Sequence, residues 1–393
     1  MQRGNDMKDK NTQKPKLIDC HNPLPDRVGK VGGEAVLEGV MMRGTGQYSV
    51  AVRREDGSIS VTTQKWESVR KRHKILNLPI IRGVVSMIES MVLSFKVLNI
   101  SAEVYGGEAE EEPSRFEKWL DRHFGKSIMD FVMVVAGVLG VGLAIGLFVF
   151  LPSLITKLIN DASGDSLGWT RNLIEGVIKI LIFIGYLKAV SLMKDIRRTF
   201  EYHGAEHKSI FCYEAGEELT PENAAKYKRF HPRCGTSFLF IVMIISILIF
   251  SLPFVPWDNI WLRMLVKLPL IPVVMGIGFE FIMLTGKHNN WLTRALSAPG
   301  RWMQRITTRE PDLEQLEIAI TALKNALPDQ FPEAAAEAEA MEAEYQAKKA
   351  AEKAEAEAAA GEAAESVGGP DEAAEADCPV SGQTENTGDA DRA

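Results

Sequence analysis

Apolar residues in this chain gather first into long uninterrupted runs. Phe131 to Ile155 is 25 residues without a charge, enough to cross ~30 Å of hydrocarbon at about 1.5 Å per residue. Ser237 to Val255 is a second uncharged run, closed by Pro253 and Pro256. Two further segments are apolar but interrupted. Leu173 to Met193 contains Glu175, Lys179 and Lys188, and Leu265 to Gly286 contains Lys267 and Glu280. Charges near the ends of such segments can snorkel to the interface. The pattern predicts a mainly α, multi-pass helical membrane bundle with about four spans, near 131–155, 173–193, 237–255 and 265–286, and hence a lipid bilayer as partner.

Elsewhere the period changes. Ile80 to Ala102 is apolar, yet Arg82, Ser86, Glu89 and Lys96 fall on one stripe of a helical wheel. That predicts an amphipathic helix over 80–102, lying in the interface or packed on the bundle; the alternative, that it spans, makes the number of spans odd and weakens the orientation argument. Tyr48 to Arg53 and Ser58 to Thr63 favour β-formers around Glu55-Asp56-Gly57, the pattern of a β-hairpin with an Asp-Gly turn. With the segment 195–236, residues 31–125 are expected to build a small cytoplasmic α+β portion beside the bundle.

Charge divides the chain again. The formal total is −7, but Glu333 to Ala393 holds 17 acidic and 4 basic residues, a net of −13 that leaves +6 on residues 1–332. The Ala/Glu-rich tail, 328–393, buries too little apolar surface to offset chain entropy and is expected to be disordered, with transient helix from Glu333 to about Ala360. It can attract a basic protein partner or simply remain solvated. Residues 1–27 are polar, expected to be disordered, and lack the apolar run of a secretory signal.

Basic loop residues set the expected orientation. The segment 195–236 holds seven Lys/Arg, against three in 156–172 and 256–264 together. Both termini and the 195–236 segment therefore belong on the cytoplasmic side. The cysteines Cys20, Cys212, Cys234 and Cys378 are scattered, which fits reduced thiols rather than a disulfide framework.

Against this scaffold one octapeptide carries chemistry: Glu201-Tyr-His-Gly-Ala-Glu-His-Lys208. His203 and His207 are four apart, so on a helix both rings leave one face and can grip one divalent metal, zinc above all. Glu206 stands where the inverted zinc-hydrolase spacing, His-x-x-Glu-His, puts its general base. Such a triplet is expected about 0.015 times by chance in a chain of this composition. A structural metal clip, or two hydrogen-bonded surface histidines, is the plainer alternative. Further donors are His231 and Cys234 in Phe230-His-Pro-Arg-Cys-Gly-Thr-Ser237. One of them as third ligand leaves a position for water, whereas all four close the tetrahedron and make the site structural. The downstream carboxylates Glu214, Glu217, Glu218 and Glu222 stay open as oxygen donors, with Glu222 better read as part of a helix start at Thr220-Pro221.

Two other features invite a reading. Glu280, inside an apolar segment, is either a ligand or relay beneath the site or the ion-pair partner of Lys179 or Lys188. The glycine-rich stretch from Val31 to Gly44 permits close backbone approach, and its Arg43 is a candidate anchor for a phosphate or carboxylate. The same stretch lacks the P-loop and dinucleotide patterns, and no interleaved basic and aromatic surface points to nucleic acid.

The blocks GGEAVLEGVMMRG, RGVVSMIESMVLSFKVLNISAE, HGAEHK, HPRCGTSF and TTREPDLEQLEIAI, in that order, resemble the YqhQ family of bacterial membrane proteins, a family of unknown function. The resemblance covers about residues 28–327. It implies a multi-pass protein of the bacterial plasma (inner) membrane, described as a predicted metal-dependent enzyme without a settled substrate. The leading expectation is thus a metal-dependent, hydrolase-like enzyme at the cytoplasmic membrane face. Its substrate would be amphipathic or lipid-linked. His203 and His207 would bind metal with His231 or Cys234, and Glu206 would act as base. The alternatives are a non-enzymatic scaffold with a structural metal knot and, from the charges inside apolar segments, a transporter.

Overall fold

The structure is a computed structural model that describes residues 17–18, 23–106, 127–168, 170–252, 259–287 and 291–367. The expectations for residues 1–16, 19–22 and 368–393, and for Pro253 and Pro256, lie outside the described residues. Met1–Glu342 forms one compact unit and Ala343–Ala393 a second.

Four antiparallel strands form one sheet in sequence order: β1 (Gly32–Val36), β2 (Gly39–Arg43), β3 (Gln47–Arg53) and β4 (Ile59–Lys65). The hairpin expected around Asp56-Gly57 is β3–β4, with Gly57 at φ 87°. The glycine-rich stretch adds a second hairpin, β1–β2, pairing Gly32 with Arg43 and Val36 with Gly39. Strand alternation then divides the apolar side chains between two faces. Val40, Met42 and Ala51 face one core, while Val36, Met41, Tyr48, Val50 and Val52 face another. Because both faces are covered, β2 reads as a nearly continuous apolar run.

The second face is covered by α1 (Ile81–Tyr105), which contributes Leu93 and Val97. Its opposite side leaves Ile88, Val92 and Phe95 exposed. Two members of its polar stripe are held internally. Glu89 accepts from the Ser68 hydroxyl and the Val69 amide, and the Arg82 guanidinium grips Glu280. Glu280 therefore pairs with Arg82 rather than with Lys179 or Lys188.

The remaining helices are α2 (Ser127–Ile145), α3 (Leu151–Ala162), α4 (Thr170–Val190), α5 (Lys194–Ala215), α6 (Pro221–Ala225), α7 (Gly235–Phe250), α8 (Ile260–Lys287), α9 (Trp291–Thr307), α10 (Leu313–Ala326) and α11 (Glu333–Val367). A π turn over Gly146–Phe150 joins α2 to α3. Among the described residues three helices are long and apolar enough to cross a membrane: Ile81–Tyr105, Gly137–Ala162 and Ile260–Leu284. The number is up to four if α4 and α5, bent by 100°, count as one. The helix α7, matching the 237–255 expectation, is equally apolar but only 16 residues long. The protein is thus mainly helical with a small sheet, and its apolar helices are compatible with a membrane bundle.

The 100° bend carries α5 out of that bundle and under the sheet, where it packs with α10. Local signals set these ends. Gly216 terminates α5 in the left-handed region (φ 79°), Thr220 caps α6 with Pro221 in its first turn, and Asp312 and Gln315 form a capping box for α10. Between α9 and α10 the chain crosses α5 in direct contact at Gly204. The Arg309 amide donates to the Phe200 carbonyl at 2.8 Å, and a Cβ on Gly204 would lie 2.0 Å from the Arg309 oxygen. We therefore expect Gly204→Ala to lower stability by ~1–3 kcal/mol through overpacking. Thermal unfolding of the purified protein measures this, and an unchanged midpoint would contradict the crossing.

Candidate metal centre

On α5 the side chains of His203, Glu206, His207 and Ile210 recur at helical spacing and share one face. His203 and His207 stand with ring centroids 4.4 Å apart. The third member comes from the loop before α7: the His203 Nε2 lies 3.2 Å from the Cys234 Sγ. Ligand atoms of His203, His207 and Cys234 all lie within 4.8 Å of one another.

Each imidazole is oriented by a backbone carbonyl. His203 Nδ1 lies 2.8 Å from the Thr307 oxygen and His207 Nδ1 2.5 Å from the Arg229 oxygen. A carbonyl only accepts, so both Nδ1 atoms carry hydrogen and both Nε2 atoms face Cys234. The His207 Nε2 is buried without a hydrogen-bond partner. An orphaned ring nitrogen, a second imidazole and a thiol, with both far nitrogens held by carbonyls, make a donor set that fits zinc or a similar divalent ion.

Cys234 is the N-cap residue of α7, its sulfur accepting from the Thr236 amide at 3.4 Å. Burial opposes ionisation of this thiol, but the charges of His203 and His207 draw it well below the ordinary value. The helix N-terminus favours a thiolate in the same direction. Burial would likewise lower His203, yet the facing Cys234 raises it to about 9. Gln304 of α9, fully buried, holds the loop: it accepts from the His231 amide and donates to the His231 carbonyl, both at 2.8 Å, and to the Ser237 hydroxyl at 3.0 Å.

Glu206 sits beside the triad, a carboxylate oxygen 3.9 Å from His203 Nε2. Burial raises its pKa, and His207 and His203 moderate the shift. The strand β1 comes close at Gly33, where a Cβ would lie 2.8 Å from the Glu206 Cγ. That approach brings in Glu34, the next residue of β1. Its charge acts on Glu206 and His203, and it accepts a 2.6 Å hydrogen bond from Ser94 of α1. Burial raises Glu34 as well.

The other two sequence candidates stand outside the triad. His231 packs its ring against His207 and Phe211, its Nδ1 accepts from the Arg233 amide at 3.3 Å, and its Nε2 faces Glu214 at 3.9 Å. Burial lowers it to about 4. Arg43, half-buried at the end of β2, feels Glu89, Arg70 and Glu34 rather than the histidines. Glu214 is taken by Arg233, and Glu222 falls in the first turn of α6. Behind the triad, Glu310 ties Lys208 at 2.8 Å to Arg229 at 2.6 Å, which steadies the carbonyl that holds His207.

The family described as "Protein of unknown function (DUF1385)" matches residues 78–329. "Uncharacterized protein YqhQ" of Bacillus subtilis (strain 168) is 37% identical over 297 residues, covering 75% of this chain and 92% of that protein. The chain belongs to the YqhQ family. The family match takes in α1, the HGAEHK helix and the HPRCG loop. No solved structure matches the chain. Within the YqhQ fold the Gln304 clamp should matter even without ligand. Gln304→Leu leaves the buried His231 amide and carbonyl unpaired, and should lower stability by ~1–3 kcal/mol. Chemical denaturation reads this, and a midpoint equal to wild type would deny the clamp.

Proposed function

We propose that this protein is a metal-dependent, hydrolase-like enzyme of the bacterial plasma membrane, with its site and both termini on the cytoplasmic side. One observation carries the reading: among the described residues three donors converge, and a buried carboxylate stands at their side. His203, His207 and Cys234 would hold the ion, and His231, tied to Glu214 and Arg233, would stay off it. Three protein ligands are the pattern of catalytic zinc sites, whereas four close a structural one. A bound divalent ion would supply Lewis acidity and favour ionisation of water at neutral pH.

The chain's own residues have separable tasks. Glu206 accepts and returns a proton at its carboxylate as general base. Glu34, steadied by Ser94, shares the buried volume beside it and supplies a second proton-holding group. Thr307 and Arg229 fix the tautomers through their carbonyls. Ser94 lies on α1, whose other side exposes Ile88, Val92 and Phe95. An apolar helix face so near the carboxylates favours an amphipathic or lipid-linked substrate arriving along the membrane surface. Arg43 remains a candidate anion anchor only in so far as Glu34 and Glu89 leave it available. The acidic stretch after Glu333 offers a surface for a basic protein partner.

A closed structural knot is the competing reading, and metal content separates the two. Purified protein should carry one zinc per chain. His203→Ala, His207→Ala and Cys234→Ser should each lose it, and His231→Asn and Glu206→Gln should keep it. Cobalt-loaded protein should show a thiolate charge-transfer band that vanishes in Cys234→Ser. Metal lost in His231→Asn would favour the knot, and metal absent from wild type would end both readings.

A further inference from the structure

The segment that leads into α1 joins charge to exposed apolar surface. Two short 3-10 turns, Val69–Lys71 and Lys74–Asn77, and the residues between them hold Arg70, Lys71, Arg72, His73 and Lys74. Glu89 of α1 fixes this hook in place. It accepts from the Val69 amide at 2.6 Å and faces Arg70 at 4.0 Å. Lys71, Arg72 and Lys74 stay exposed. Beyond them Ile75 is 71% exposed, and Leu78, Ile80 and Ile81 are exposed as well. The apolar strip continues on α1 through Ile88, Val92 and Phe95, with Met91 and Leu98 alongside, at helical spacing and so on one face.

Length and apolarity would let α1 cross a bilayer, but its contacts argue for another placement. The helix midpoint, Leu93 and Ser94, touches the sheet. Leu93 shares a core with Tyr48 and Val50 of β3, and the Ser94 hydroxyl donates to Glu34 at 2.6 Å. A crossing helix would carry that sheet and carboxylate to the hydrocarbon centre, where open strands do not occur. We infer that Val69–Ile81 is an anchor for an anionic lipid surface, which holds α1 along the headgroup boundary. Basic residues followed directly by exposed aliphatic ones suit that partner. Phosphate headgroups meet the cations while Ile75, Leu78 and Ile81 enter among the acyl chains. An acidic protein would answer the charges, but the continuity of the apolar strip from Ile75 to Leu98 favours a broad lipid surface over a local contact. The inference rests on the membrane reading of the bundle and not on the metal centre.

The test places a nitroxide at Ile75→Cys or Leu78→Cys in full-length protein that also carries Cys20→Ser and Cys378→Ser, leaving the buried Cys212 and Cys234 in place. The protein is reconstituted in nanodiscs of phosphatidylcholine, alone or with phosphatidylglycerol in equal parts. Collision with oxygen reports lipid around the label, and collision with a water-soluble nickel chelate reports water. With phosphatidylglycerol both labels should favour oxygen; in phosphatidylcholine alone they should shift toward the chelate. Lys71→Gln, Arg72→Gln and Lys74→Gln together should lower the ratio of lipid-held to water-exposed label by about a hundredfold in the anionic discs. These side chains are exposed, so the variant should fold. A label at Leu139→Cys, on an exposed position of α2, checks the bundle itself and should favour oxygen in both lipids. Chelate access at Ile75 and Leu78 in both lipids, with Leu139 in contact with oxygen, overturns the anchor alone. The same access at all three positions overturns the membrane reading with it. An unchanged ratio in the triple variant, or shielding from both reagents because protein covers the strip, also overturns the anchor.

Discussion

Two carbonyl oxygens govern this site. Because a carbonyl can only accept, Thr307 and Arg229 oblige His203 and His207 to present Nε2 toward Cys234. Neither carbonyl lies near α5 in sequence, so both must be delivered by packing. Thr307 arrives because the chain beyond α9 touches α5 at Gly204. Arg229 arrives because Glu310 bridges it to Lys208. Gly204, within the His-Gly-Ala-Glu-His run, is therefore as much part of the site as the rings. A side chain there would push away the segment that sets one of them.

This explains what could be read from the residues and what could not. His203, Glu206 and His207 were legible because helical spacing alone puts them on one face. The Thr220-Pro221 start, the Asp-Gly hairpin and the apolar helices were legible for the same reason, since each is a local pattern. Between Cys234 and His231 local pattern could not choose. The decision lies in the loop, where Cys234 becomes a helix cap and His231 is drawn to Glu214 and Arg233. Glu34 was missed because its relation to Glu206 depends on a strand passing a helix 172 positions later, with only Gly33 as a trace. Backbone acceptors carry no residue signature at all.

Charges inside apolar segments raised the same difficulty. Glu280 needed a cation, and lysines on α4 were the ones in view. The structure supplies Arg82 from α1, and the geometry that permits it is strained. Ile80 adopts φ 70°, an unusual value for a β-branched residue, with its amide on the Glu280 carboxylate at 3.3 Å. Such a conformation costs about 1–3 kcal/mol and persists only where neighbours over-determine it. Here Gly276 and Gly83 allow α1 and α8 to meet almost backbone to backbone, which brings Arg82 within reach.

The helix α7 runs from the candidate metal centre to two lysines inside the bundle. Its first turn holds Cys234 at the N-cap, and its last residue, Phe250, lies beneath Lys179 and Lys267. Sixteen residues at about 1.5 Å each separate them by roughly 24 Å. Between these ends the helix is uncharged, and it packs on α9 through Ser237 and Gly300 and on α8 through Val242 and Gly278. Small residues let these helices close up: the Gly300 backbone meets Ser237 backbone and side chain, and Gly278 receives the Val242 side chain.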